Sequence, residues 1–185
     1  AISVYRKERI FPIDFGNATA CRSIVDTDLE EQATHLLKAL NYTGLGEAEF
    51  QRDARDGQLK VVEINIRSTT QSRLSAACGV NMEYIAYREL LGEQQDFVAK
   101  RRAGVLWVDL YRDMLAVFSD EGYRNITGLT ISRWIGSMRG QRVFAFCSLR
   151  DPKPGLMVMM RVTKLHLSNL KVLARTMTLL SSLTR

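Results

Sequence analysis

Apolar and polar positions alternate at the start of the chain, break off at clusters of turn residues, and then shift to a helical period. Residues 2–6 and 19–25 alternate as strands do, separated by a turn-rich segment around Pro12, Asp14, Gly16 and Asn17. Leu29, Ala33, Leu36, Leu37 and Leu40 then recur every three or four positions, which predicts a helix over 28–40 with Asp28 as its N-cap. In the next segment, GEAEFQRDARDGQLKVVEINIR, two alternating runs flank a turn cluster from Asp53 to Gly57, the pattern of an antiparallel hairpin. Leu74, Ala77 and Cys78 predict a short helix closed by Gly79, and Met82 to Leu91 another closed by Gly92. Beyond Arg101 come a strand at 105–108, helical stretches near 111–120 and 129–138, and a strand at 142–147. After the loop Asp151-Pro152-Lys153-Pro154-Gly155, Val162, Leu165, Leu173, Met177 and Leu180 fall at helical spacing and predict an amphipathic tail. Strand pairs mixed with helices place the chain in the α+β class, divided into 1–100, an α/β extension over 101–150, and a mostly helical tail over 151–185.

The hairpin carries the candidate chemistry. Successive strand residues face opposite ways, so Val62, Ile64 and Ile66 point to one side while Glu63, Asn65 and Arg67 point to the other. On the partner strand Ala48 and Phe50 take the apolar side, leaving Glu47, Glu49 and Gln51 on the polar one. If the hairpin folds about Asp56, Glu49 lies opposite Glu63. Like charges directly opposed across a strand pair repel unless solvent or a cation separates them. Magnesium takes oxygen ligands, is commonly held by one or two carboxylates plus phosphates, and is the natural candidate. Arg67 offers a planar fork that suits a phosphate or carboxylate. An isolated E-x-N-x-R run is more often an ordinary solvent-facing strand, so the surrounding sequence decides.

That surrounding sequence, GLGEAEFQRDARDGQLKVVEINIR followed by SRLSAACGVNMEYIAYRELLG, resembles the ATP-grasp superfamily, in particular its carboxylate–amine ligase-like members. In that family a G-x-x-E-x-E-F strand, a turn with D-x-x-x-G, a strand ending E-I-N-x-R and a helix with G-V-N stand in this order. The resemblance is strong over 42–92 and weaker over 1–27 and 103–150. It implies the fold of an ATP-grasp C-terminal subdomain, an antiparallel sheet with flanking helices. It implies that Glu49 and Glu63 ligate magnesium, or manganese, with Asn65 completing the metal site, and that Arg67 contacts the transferring phosphoryl group or the acyl substrate. Lys7 and Arg9, in Arg-Lys-Glu-Arg-Ile-Phe-Pro, resemble a basic strand facing ATP or substrate. The implied reaction is transfer of the ATP γ-phosphoryl group to a small-molecule carboxylate, giving an acyl phosphate that an amine or related nucleophile attacks. Such chemistry asks for positioning and charge neutralisation rather than a nucleophilic side chain. The family's cleft also needs an upstream lobe, with a lysine on the phosphates and a hinge strand on the adenine. Because the chain opens at Ala1 past where these would stand, the expectation is an incomplete clamp, inactive alone and prone to self-association through the surface the missing lobe would cover.

Composition narrows the alternatives. A chain of 185 residues, 46% hydrophobic and 25% charged, has the make-up of a globular domain. Cys21, Cys78 and Cys147 form neither a disulfide framework nor a zinc pattern, so a reducing cytoplasmic setting is the default. Cys78 reads as a small core residue and His35 as a helix residue, and neither His35 nor His166 sits in a triad pattern; there is no Walker loop or G-x-S-x-G elbow. No signal peptide or membrane span is signalled. The net charge of +6 is concentrated in 151–185, where six basic residues stand against Asp151 alone. With Leu156, Met157, Val158, Met159 and Met160 beside Arg161 and Lys164, this tail offers the alternative of a catalytically incomplete protein peripheral at a membrane surface. Nucleic acid ranks last as a partner, since aromatic residues are not interleaved with the basic ones.

Overall fold

A computed structural model of the chain describes residues 1–93, 102–119, 122–148, 150–158 and 160. The chain divides into two compact units, Ala1–Ala145 and Phe146–Arg185.

The first unit is α+β. In order it contains β1 (Val4–Phe11), β2 (Asn17–Ile24), α1 (Thr27–Ala39), β3 (Glu47–Arg52), β4 (Leu59–Asn65), α2 (Ser72–Ala77), α3 (Met82–Leu90), β5 (Leu106–Val108), α4 (Leu110–Phe118), α5 (Tyr123–Thr127), α6 (Ile131–Ser137) and β6 (Arg142–Phe144). A four-stranded sheet runs β1-β2-β5-β6, and β3 and β4 form a separate hairpin. The sheet is mixed rather than wholly antiparallel: β1–β2 and β2–β5 are antiparallel, but β6 pairs parallel with β5. The long connection through α4, α5 and α6 is what a parallel pairing requires. β5 and β6 therefore share one sheet with β1 and β2.

The three residues of β5 are all buried, as expected for a central strand covered on both faces. On one face Trp107 joins Ala18, Cys21 and Val105 against Leu74 and Cys78 from α2 and the residue after it. On the other, Leu106 and Val108 pack with Ala20, Met138 and Phe144, and α4 lies on β1 and β2. The tight link between β1 and β2 needs Gly16, where a Cβ would overlap the Phe11 carbonyl.

Helix positions follow the periodicity with local shifts. The N-cap of α1 is Asp26, whose carboxylate accepts from the Leu29 amide at 3.0 Å, while Asp28 lies in the first turn. Both residues have capping chemistry, and a two-residue offset is not resolved by composition. The five-residue α5 has no sequence counterpart because a single turn shows no periodicity. It starts at buried Gly122, where a Cβ would lie 2.7 Å from the Ala116 carbonyl oxygen, and ends at Gly128 with φ +66°.

In the second unit residues 153–158 are helical. The rest of the tail, including Val162, Leu165, Leu173, Met177 and Leu180, lies outside the described residues. Among the described residues no helix is long and apolar enough to cross a membrane.

Candidate functional site

The hairpin register sets the site. Glu47 pairs with Asn65, Ala48 with Ile64 and Glu49 with Glu63, after which Phe50 pairs with Val61. Val62 is thus an extra residue, a bulge directly beside the opposed glutamates; bulges add local twist and re-aim neighbouring side chains. Residues opposite one another share a face, so Glu47, Glu49, Glu63 and Asn65 lie together. Gly46 lets the hairpin close, since a Cβ there would stand 3.0 Å from the Asn65 carbonyl oxygen.

This acidic face is tied to β1. The Tyr5 hydroxyl donates to Glu47 Oε2 at 2.5 Å, and the Lys7 ammonium forms an ion pair with Glu49 Oε2. Tyr5 and Lys7 are two apart on a strand and share a face, as do Glu47 and Glu49, so two parallel contacts register hairpin against sheet. Burial, with the Glu47 carboxylate beside it, pushes the Tyr5 phenol far above its ordinary value and keeps it a neutral donor. Cys21 pairs with Lys7 across the strands. Burial pushes its thiol up as well, so it is a protonated core group rather than a nucleophile. Cys78 is likewise buried, and His35 is exposed in mid-helix. Glu63 is exposed and has no hydrogen-bond or ion-pair partner among the described residues.

Two sequence candidates are not brought to this face. The β4 strand ends at Asn65, so Arg67 falls in the following bend, where its guanidinium is exposed and donates to the Ser68 carbonyl at 3.2 Å. That bend is pinned by the Ser68 hydroxyl donating to Glu83 at 2.5 Å, a bond that holds the Glu83 carboxyl below its ordinary range. Arg9 departs further. In β1 Lys7 pairs with Cys21 but Arg9 with Ala20, leaving Glu8 as a bulge that turns Arg9 to the opposite face. There Asp113 of α4, fully buried, accepts from Arg9 Nε at 2.7 Å and Nη2 at 2.9 Å, from the Thr19 hydroxyl at 2.8 Å, and from Trp134 Nε1 at 2.8 Å. The remaining Arg9 Nη1 donates to the Ser137 hydroxyl at 3.1 Å. Sequence reasoning missed this cluster. Its one signal was an aspartate sharing a helical face with Ala116 and Val117, which are buried.

No family model, curated protein or solved structure matches this chain. The chemistry therefore rests on the side chains themselves. Among the described residues no group of three or more His, Cys, Asp or Glu could hold a metal ion. The hairpin offers two opposed carboxylates and an amide on one face. These are hard oxygen donors, and they fit magnesium or manganese of the kind that keeps several waters and completes its shell with phosphate oxygens. A hollow of about 430 Å³ lined by Arg124, Leu129, Thr130 and Ile131 shares no residue with this face.

Proposed function

We propose that the chain is the C-terminal part of an ATP-grasp-type ligase that activates a small-molecule carboxylate with Mg-ATP, or Mn-ATP, for attack by an amine or related nucleophile. The observation that carries the reading is the register of Glu49 against Glu63, with Asn65 on the same face and the Lys7 ammonium on Glu49. A glutamate pair held face to face is unfavourable by itself and becomes useful when a cation is to be bound there. Glu49, Glu63 and Asn65 would hold the ion, which when bound would neutralise the phosphate oxygens. Lys7 adds positive charge at the same edge, and Arg67, exposed in the bend after β4, can meet an anionic oxygen of the incoming substrate. Arg9, fixed by Asp113, supports the strand that presents Lys7. The γ-phosphoryl group passes to the substrate carboxylate, and the nucleophile then expels phosphate from the acyl phosphate. In the full-length gene product, Glu63→Gln is expected to abolish ATP turnover without altering the circular dichroism melt. Preserved turnover overturns the assignment.

A second reading is favoured by the exposed apolar run of the second unit, where Leu156, Met157 and Met160 are each more than half exposed. With the basic residues of the tail these suit an anionic membrane surface. Removing 156–185 is then expected to eliminate sedimentation with phosphatidylserine-containing vesicles, and an unchanged pellet counts against it.

A further inference from the structure

We propose that Lys7 is a built-in counter-cation that holds Glu49 until a divalent ion arrives, so that metal entry and release of Lys7 are one exchange. The inference rests on the metal-site reading of the hairpin. Three observations carry it. First, Lys7 and Glu49 come from different elements, β1 and β3, so their ion pair is a tertiary contact made on the proposed ligand itself. Second, the pair satisfies only one carboxylate: Glu63, directly across from Glu49, has no partner among the described residues. A single ammonium compensates half of the opposed charge, whereas a divalent ion shared by both glutamates compensates all of it. Third, the hairpin does not depend on Lys7 alone to stay docked, because the partly buried Tyr5 hydroxyl holds Glu47 on the same face.

The side chains suit an exchange. Lys7 and Glu49 retain 29% and 28% of their side-chain exposure, so water reaches the pair. Lysine carries a compact charge on a flexible four-carbon stem and moves at little cost, which a forked arginine would not. Cys21, fully buried across the strand pair from Lys7, closes the inward path, so the displaced ammonium swings outward. The outward position is also where a polyphosphate bound to the metal would place its charge. Free metal should accordingly bind weakly, and metal with polyphosphate more tightly, because the anion gives the displaced ammonium a new partner.

Manganese binding to the whole chain, followed by electron paramagnetic resonance without nucleotide, tests this. Lys7→Met is expected to tighten Mn²⁺ binding roughly three- to fivefold, the scale of a partly exposed ion pair removed as competitor, while Lys7→Arg, whose fork is harder to displace, leaves it weaker than in the parent. Added tripolyphosphate should strengthen Mn²⁺ binding more in the parent than in Lys7→Met. Binding that is lost in Glu63→Gln but unchanged or weakened in Lys7→Met overturns the exchange and leaves the metal site standing. Absence of any Glu63-dependent Mn²⁺ binding in both parent and Lys7→Met overturns the site and the exchange together. Circular dichroism of each variant separates these results from misfolding.

Discussion

Lys7 and Arg9 stand two residues apart on β1 and do opposite things. Strict alternation would put both on one face, but the bulge at Glu8 sends them to different sides of the sheet. On one side Lys7 makes a single, partly exposed ion pair with Glu49. On the other, Arg9 is 6% exposed and Asp113 not at all, with both ends of the ion pair saturated by Thr19, Trp134 and Ser137. A buried charge pair persists only when its remaining hydrogen-bonding capacity is filled, which makes it hard to rearrange. A pair open to water is worth little and exchanges easily. One strand thus supplies a fixed cation that joins β1 to α4 and a movable one that faces the candidate site.

Substitutions on the two sides should separate accordingly. Asp113→Ala leaves the Arg9 guanidinium buried without its partner and is expected to cost about 3–5 kcal/mol in urea unfolding. A loss below about 1 kcal/mol would mean that Arg9 escapes to solvent and that the cluster is not fixed. Trp134→Phe keeps the ring that packs edge-on against Phe118 but removes one donor to Asp113, with an expected loss of about 1–3 kcal/mol.

Asp109, the N-cap of α4, links the cluster to pH. Burial raises its carboxyl above the ordinary value of 3.8, the Arg112 amide and guanidinium oppose the rise, and neighbouring Asp113 adds to it. The folded state then holds the Asp109 proton more tightly than the unfolded one, so stability from this group is greatest in acid and declines as pH rises past the unfolded value. Asp109→Asn keeps a good cap and removes that decline. The variant should gain stability relative to the parent as pH is raised from about 4 to 7, measured by denaturant midpoints; parallel profiles would refute the linkage. The smallest effect belongs to Lys7→Met, expected to change unfolding free energy by less than about 1 kcal/mol. A large loss there would make Lys7 a structural residue like Arg9.

The hairpin was legible in the sequence because alternation, the turn cluster and the two glutamates lie within one short stretch, but near the turn Arg52 pairs with Leu59 and Phe50 with Val61, so it is the extra residue Val62 that brings Glu49 opposite Glu63. The bulges at Glu8, Thr19 and Val62 were not, since one extra residue in a ladder leaves no mark in composition. Their consequence was the misplacement of Arg9. Arg67 was placed on the strand by alternation, yet β4 has no partner beyond Asn65 paired with Glu47, and the strand stops there. The Asp113 cluster joins residues from β1, β2, α4 and α6, and such a contact is visible only once the helices are docked. The parallel place of β6 has the same cause, for pairing direction is set by the connection rather than by the strand's own residues.

Calorimetric titration of the full-length gene product with MgATP, beside its Glu63→Gln variant and with circular dichroism on both, addresses the hairpin site most directly. The expected result is saturable binding by the parent and its loss in a variant whose spectrum is unchanged. Undiminished MgATP affinity in the folded Glu63→Gln protein would contradict the reading of Glu49, Glu63 and Asn65 as the metal and phosphate site.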